Sequence, residues 1–316
     1  MVEKRIRTQK GFTLVELLVA MALALVVMGM IFRTFKIQQD SYVIQDQVVA
    51  MQQNLRSAMY VISRDLQMAG FYSNFDSNTF TMDWDDNGAS EGIRPLLHAG
   101  DNVSTGGDDI RDNTDTIVIV KAGAERRALA GTEKADVGVI TLTSRDLDGD
   151  GADDLNNTGK KYGLLVKEDL RAADFFEVDS ASGNITPPAG LSENYTTGDL
   201  ICRADVIIYR IDEDAAHPKL RRKNLGDDNG FQVIAENVDN LQFRYQLSDG
   251  TWTNDPAGNQ HRVRAIQVFL LGRTSQTNRG WTDPETYVMA NVNYAPGDNY
   301  RRKLMCTTVK ARNIGL

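Results

Sequence analysis

The feature that most constrains this chain is an uninterrupted helical pattern that begins at residue 12 and continues to residue 69. The run from Leu14 to Phe32 carries one charge, Glu16, and with Phe12 it is long enough to cross the roughly 30 Å hydrocarbon layer of a membrane as a helix. Beyond this run, apolar residues recur at every third or fourth position, which is one face of an α-helix. These residues are Ile44, Val48, Met51, Leu55, Met59, Ile62 and Leu66. The pattern predicts one helix over 12–69, with 12–32 in a membrane and the later part packed on a folded domain.

The charges around the apolar run predict its orientation. Four basic residues, Lys4, Arg5, Arg7 and Lys10, precede it. The positive-inside rule therefore leaves 1–11 in the cytoplasm and the rest of the chain outside. A secretory signal peptide would have a shorter apolar region and a small-residue cleavage site after it, so the helix is expected to stay in the protein. The net charge of −8 argues against a nucleic-acid partner.

Glu16 is the anomaly of the membrane segment. A carboxylate inside a membrane helix is costly unless it has a partner, which makes it a functional candidate. If the chain is cut between Gly11 and Phe12, the new α-amino group of one chain could neutralise Glu16 of the next and set the register of packed helices. The alternative is a charge tolerated near the membrane surface.

The segment KGFTLVELLVAMAL resembles the N-terminal signature of type IV prepilins and type II secretion pseudopilins. Gly11 stands at the end of the short basic leader, Phe12 at the first mature position and Glu16 at the fifth. The resemblance implies cleavage by a prepilin peptidase and N-methylation of Phe12. Many major pilins have a helix-kinking proline where this chain has Arg33, so a straighter helix is expected.

The remainder of the chain has two regions that differ in amino-acid composition. Residues 70–160 are rich in Asp, Asn, Gly and Ser and predict a loop-rich insert, whereas 161–316 contain longer strand candidates with alternating apolar residues. The longer candidates are Tyr162–Lys167, Leu200–Ile211, Phe231–Ile234, Leu241–Gln246, Val263–Leu271 and Leu304–Ala311. The expected fold class is α+β: a pilin-like fold with a long N-terminal helix packed on an antiparallel β-sheet domain at 161–316.

Three later segments sharpen the resemblance to the PilW branch of minor pilins. They are ENVDNLQFRY at Glu236–Tyr245, RAIQVFLLGRT at Arg264–Thr274 and YRRKLMCTTVKARN at Tyr300–Asn313, after Arg64-Asp65-Leu66 at the end of the helix. This resemblance implies a subunit that primes type IV pilus assembly and lies at or near the tip. The implied partners are other minor pilins, the major pilin, the prepilin peptidase and the inner-membrane assembly platform.

The same resemblance implies a single-pass inner-membrane protein with a periplasmic body that later becomes part of the extracellular pilus. Two other functions remain open. One is a GspJ-like minor pseudopilin of type II secretion, and the other is a pilus-tip adhesin that uses the 70–160 insert.

An acidic loop predicts a calcium site. On the spacing of an EF-hand loop, the oxygen ligands would come from Asp146, Asp148, Asp150, the Ala152 carbonyl, Asp154 and Asn157, with Gly151 at the sharp turn. Asn157 stands where the bidentate glutamate would be, which should weaken the site or move the last ligand to Asp153. Close carboxylates repel one another unless a cation neutralises them. The alternative is a solvated acidic turn.

The two cysteines, Cys202 and Cys306, could form a disulfide if the body lies outside the cytoplasm. Two unpaired buried thiols are the alternative. The sequence contains no G-x-S-x-G, Walker A or H-E-x-x-H motif, so an enzyme is not expected. The basic clusters 221–223 and 301–303 are expected to be solvated faces.

Overall fold

The structure is a computed structural model that describes residues 11–70, 80–82, 91–93, 97–103, 110–136, 139–156, 162–170, 172–178, 185–186, 191, 193–212, 214, 216–226, 229–256 and 258–314. The chain divides into two compact units, Met1–Val49 and Ala50–Leu316. The leader at 1–10 and the end of the acidic loop, including Asn157, lie outside the described residues.

Helix α1, Leu14–Met68, is a single element of 55 residues. It begins two residues later than expected, after Thr13, and ends at a turn in which Gly70 has φ +74°, a conformation that glycine adopts without strain. Within the second unit, the predicted apolar stripe is buried from Met51 onward, at Met51, Leu55, Met59, Ile62 and Leu66. This confirms the helical periodicity of the sequence for that part of the stripe.

The described strands are antiparallel wherever they pair. In chain order they are β1 Phe80–Met82, β2 Glu91–Ile93, β3 Leu97–Val103, β4 Thr114–Ala128, β5 Lys134–Asp136, β6 Val139–Thr141, β7 Tyr162–Val166, β8 Ala173–Val178, β9 Ile185–Thr186, β10 Leu200–Ile211, β11 Lys219–Asn224, β12 Gln232–Glu236, β13 Val238–Leu247, β14 Trp252–Thr253, β15 Val263–Arg273, β16 Tyr287–Met289, β17 Val292–Tyr294 and β18 Arg302–Lys310. A short 3₁₀ turn, Gln260–Arg262, precedes β15. One long helix with antiparallel sheets confirms the expected α+β class.

The larger sheet is centred on β10. One edge of β10 pairs with β4 along nearly its whole length, while the other pairs with β7 near its start and with β11 near its end. From β7 the sheet continues through β8, β9, β6 and β5, and β12 extends it beyond β11. Because β10 is buried along most of its length on both faces, it reads in the sequence as a nearly continuous apolar run.

This sheet crosses the boundary that the sequence suggested near residue 160. Nine described residue pairs join β4, from the expected insert, to β10, from the expected C-terminal domain. The described parts of 70–160 and 161–316 therefore belong to one unit. Among the described residues of this segment, acidic side chains are concentrated in the loop at 146–154, whereas the first part of β4, residues 114–122, is largely buried.

The smaller sheet has the order β14-β13-β15-β18 and contains the later PilW-like segments. Most residues of its two central strands, β13 and β15, are buried. Among them are Phe243 on β13 and Val268 on β15, which face each other across the ladder. The contact of α1 with this sheet is close at Gly272 of β15. A Cβ placed there would lie 2.8 Å from Leu55 Cδ2, so only glycine leaves room for the leucine.

Candidate functional site

The N-terminus of α1 is closed by a capping box. Thr13, the residue before the helix, donates from both its backbone N–H and its hydroxyl to Glu16 Oε2, each over 2.9 Å. In return, the Glu16 N–H lies 3.3 Å from Thr13 Oγ1. This reciprocal T-x-x-E arrangement satisfies donors that a helix start leaves unpaired. The motif is present in the sequence as Thr13-Leu-Val-Glu16. From the sequence, Glu16 was interpreted only as a charge in the membrane segment.

The capping box changes the account of Glu16. Its Oε2 has two donors from its own chain, and within the described residues no donor contacts Oε1. The carboxylate is thus oriented by Thr13 and still has an oxygen free to accept a bond from outside the chain. Gly11 and Phe12, the expected processing residues, both precede the helix, and Phe12 is 88% exposed.

The first part of α1 has the composition of a membrane span. The helix contains an 18-residue window with mean hydropathy 2.6, none of which is buried inside the structure. The exposed side chains include Leu17, Leu23 and Phe32, each more than half exposed. Water is a poor solvent for so much apolar surface, and a helix of this kind is stable in lipid or against other apolar helices. The apolar helix, together with the motif before it, indicates membrane anchoring.

The acidic loop brings together three of the predicted calcium ligands. One carboxylate oxygen from each of Asp146, Asp148 and Asp154 lies within 4.8 Å of the others. Asp150 and Ala152 are not part of this group, and Asn157 is outside the described residues. Oxygens at this separation could share one hard cation such as Ca²⁺.

The backbone of the loop is held by its own carboxylates. Asp146 accepts bonds from the N–H groups of Gly149 and Gly151, at 2.6 and 2.9 Å, and Asp154 accepts one from Leu147 at 2.8 Å. Gly151, which the sequence placed at the sharp turn, has φ +90°. Leu147 and Leu155 are both buried and attach the two ends of the loop to an apolar cluster around Phe176.

The two cysteines do not form the expected disulfide. Cys202 is buried in the core of the larger sheet on β10, and Cys306 is exposed on β18 of the smaller sheet. They are free thiols because the fold puts them in different sheets rather than opposite each other. Burial raises the pKa of the Cys202 thiol to about 12.

The basic clusters are not merely solvated faces, contrary to the expectation. The Arg302 side chain is fully buried and contacts Asp239 at 2.7 Å through Nε and Asp298 at 2.6 Å through each terminal nitrogen. Burial would lower the pKa of Arg302, but the two carboxylates raise it. Arg273 and Arg111 approach Asp239 as well, at 3.4 and 3.6 Å. The sequence does not show where the acidic partners of these arginines are.

A second buried charge group lies at the end of α1. Asp65, 4% exposed, accepts bonds from the Tyr209 hydroxyl at 2.6 Å and from Arg222 Nε at 2.9 Å. Lys121 Nζ lies 3.8 Å from its other oxygen and 3.7 Å from Asp205. In the sequence, Asp65 stands out only within the PilW-like pattern Arg64-Asp65-Leu66 at the end of the helix. Its one available signal was an acidic residue on the buried face of an amphipathic helix.

Comparison with known protein families gives matches to the N-terminal and the C-terminal parts of the chain. Residues 208–313 match the family model described as Type IV Pilus-assembly protein W, PilW, and residues 6–32 match the prokaryotic N-terminal methylation motif. No relative was found among curated proteins. Among solved structures, a type IV-like pilin from Thermus thermophilus matches over 83% of this chain and 97% of its own length, at 12% identity and a TM-score of 0.35.

At this identity and TM-score the structural likeness is distant. The two family models match the same segments that the sequence patterns singled out. The N-terminal methylation motif at the start of the chain and the PilW domain across its last strands support a type IV pilus minor pilin of the PilW family.

Proposed function

We propose that this minor pilin primes type IV pilus assembly and lies at or near the pilus tip. A prepilin peptidase would cut between Gly11 and Phe12, leaving an ammonium group at Phe12. The α1 helix would then pack against the helices of other pilins in the inner membrane, where the assembly platform extracts them into the fibre. The role is structural, and the chemistry of processing is performed on this chain by its partners.

The observation that carries the proposal is the geometry at Glu16. Thr13 donates two hydrogen bonds to Glu16 Oε2, and Glu16 Oε1 accepts no hydrogen bond within the described residues. The ammonium of Phe12 in a neighbouring chain can therefore bind Oε1 without disturbing the cap. In a medium of low dielectric constant, such a pair is much stronger than at a water-exposed surface, and it compensates for the cost of a charge in lipid.

The test compares Glu16→Ala and Glu16→Gln with Gln38→Ala, an exposed substitution on the same helix. Pili are counted by electron microscopy, and the amount of membrane-inserted protein is measured by immunoblot. Both Glu16 variants should insert normally and yield few or no pili, and Gln38→Ala should resemble the parent. Normal piliation in Glu16→Ala would show that the pair is not needed.

The match to PilW favours a pilus over a type II secretion pseudopilus, which was the main rival from the sequence. A deletion of the gene separates the two. Loss of surface pili with secretion intact supports the pilus, and loss of secretion with pili intact supports the rival.

We propose further that the acidic loop binds Ca²⁺ through Asp146, Asp148 and Asp154, with Asp150, the Ala152 carbonyl and Asn157 as the remaining predicted ligands. What supports this is the approach of three carboxylates to within 4.8 Å in a loop whose ends are fixed by buried leucines. A cation there would relieve their mutual repulsion and stiffen the loop.

A further inference from the structure

Asp65 occupies an unusual place on α1. The other residues that the helix buries are apolar: Met51, Leu55, Ala58, Met59, Ile62 and Leu66. Asp65 lies on the same face, 4% exposed, and is directed at charged and polar groups of the larger sheet. Its partners come from three different strands: Lys121 on β4, Tyr209 on β10 and Arg222 on β11.

Apolar packing by itself defines the axial position of this helix poorly. The buried residues repeat at intervals of three or four, so a shift of the helix by one turn brings one apolar residue into the place of another. Over Gly272, for instance, Leu55 would be replaced by Met51 or Met59. Methionine is unbranched and flexible and fits irregular spaces, so such a shift would lose little apolar contact.

The polar contacts of Asp65 depend strongly on that position. A one-turn shift moves its carboxylate by about 5.4 Å along the axis, beyond hydrogen-bonding reach of Arg222 and Tyr209. The shift would leave the buried Asp65 carboxylate without its half-buried guanidinium partner, Arg222, which is far more costly than an exchange of apolar contacts. One polar residue in an apolar seam sets the register of coiled coils for the same reason.

Hydrogen bonds between described residues also join the end of the helix to β4 and to the segment after β18. The Gly70 N–H donates to the Val120 carbonyl over 3.0 Å, and the Asn313 amide donates to the Gln67 carbonyl over 3.1 Å. Both are neutral, and Gln67 is exposed, so water can replace the second. Neither penalises a shifted helix as an unpaired buried charge does.

We propose that Asp65 sets the axial register of α1 on the sheets of the second unit, by pairing with Arg222, Tyr209 and Lys121 in one helix position only. This inference goes beyond the proposed function and does not depend on it, because the register is a property of the single folded chain.

Disulfide trapping on the full-length chain in detergent tests the proposal. In a Cys306→Ser background, Asn313→Cys is combined with Gln67→Cys, its present neighbour, or with Ser63→Cys, one turn away. Copper phenanthroline is the oxidant, and the cross-linked fraction is read on non-reducing gels. With Asp65 in place, only the 67–313 pair should form efficiently.

The informative variant removes the polar group altogether, as Asp65→Leu with Arg222→Met and Tyr209→Phe, while Lys121 keeps its pair with Asp205. It should fold, and the 63–313 cross-link should rise at least fivefold. If the triple variant does not fold, Asp65→Asn takes its place, and a rise of at least twofold is expected. Folded protein that still forms only the 67–313 pair would overturn the proposal.

Discussion

The Tyr209 hydroxyl on β10 donates a 2.6 Å hydrogen bond to Asp65 Oδ2 near the end of α1. Both side chains are buried, and Arg222 shares the same carboxylate oxygen. The helix and the larger sheet are therefore joined by a charge-assisted bond as well as by apolar packing.

This hydrogen bond predicts that the fold loses stability at alkaline pH. Burial, reinforced by the Asp65 carboxylate, raises the pKa of Tyr209 far above its ordinary value. A tyrosine with a raised pKa in the folded state stabilises the fold fully below its unfolded pKa of about 10, and that contribution is lost as the pH rises further. Tyr209→Phe should lower the free energy of unfolding at pH 7 by about 1.5–3 kcal/mol, the range for a hydrogen bond to a charged group.

Urea unfolding at pH 7 and at pH 10.5 measures both effects. The parent should lose more stability than Tyr209→Phe between the two values. An identical pH dependence in the two proteins would contradict the assignment.

The contacts of Glu133 predict the opposite effect, a loss of folding stability at acidic pH. It is 2% exposed, and it binds Arg127 Nη2 over 2.6 Å and the Thr143 hydroxyl over 2.6 Å. Arg127 lowers the pKa of Glu133 well below its ordinary value, against burial, which raises it. A carboxyl with a lowered pKa stabilises the fold above its unfolded pKa of about 4.3, and the contribution is lost as the pH falls toward the folded value.

Glu133→Gln should therefore be less stable than the parent at pH 7, by about 3–5 kcal/mol, because Arg127 loses the charge of its partner. The difference should shrink between pH 4.5 and pH 2. Thermal unfolding followed by circular dichroism over this range is the measurement, with exposed Asp112→Asn as a charge-matched control. A difference that stays constant down to pH 2 would rule out the linkage.

Calcium should stabilise the protein through the acidic loop. At a concentration tenfold above its dissociation constant, a ligand that binds only the folded state adds about 1.4 kcal/mol. Asp148→Ala should abolish the calcium-dependent shift in Tm, whereas Asp112→Asn should retain it. Isothermal calorimetry with CaCl₂ on the full-length chain gives the stoichiometry, and a parent whose Tm does not rise with CaCl₂ would disprove the site.

Gly163 on β7 should not tolerate a side chain. Its direct cross-strand partner is Phe176 on β8, and a Cβ at Gly163 would lie 2.1 Å from Phe176 Cζ. The ring is completely buried and cannot move aside freely. Gly163→Ala should cost at least about 1–3 kcal/mol, the usual penalty for overpacking. Adding Phe176→Leu should recover part of the loss in chemical denaturation, and full tolerance of the single variant would contradict the packing.

Thr13 should support Glu16 through its hydroxyl. Thr13→Val keeps the shape but removes the hydroxyl that bonds Glu16 Oε2, which should destabilise the helix start by about 1 kcal/mol. Thr13→Ser retains the hydroxyl. Pilus counts should fall in the valine variant and stay near normal in the serine variant, at equal membrane levels. Equal piliation in both would show that the cap has no part in assembly.

Some outcomes of the fold were accessible from local sequence patterns. The continuous helix follows from an apolar period of 3.6 with no proline to interrupt it and no glycine between Gly29 and Gly70. Strands β13, β15 and β18 follow from alternating residues. The basic strand β11 was not found, since its Lys219–Asn224 segment reads as a charge cluster. Its arginines are partly buried against acidic partners: Asp65 of the distant helix α1 for Arg222, and Asp212, just after the neighbouring strand β10, for Arg221.

The candidate sites also divide into features that the local sequence predicts and features that depend on the tertiary structure. The order Gly11, Phe12, Glu16 and the spacing of the loop aspartates are local, so the sequence alone determined them as candidates, together with the helix and the α+β class. Only the tertiary structure decided that Cys202 and Cys306 lie in separate sheets, that β4 is a central strand and that Asp65 meets Arg222. Periodicity records which face of an element is buried, whereas the partner across the core is set by how distant elements pack together, which no local pattern encodes.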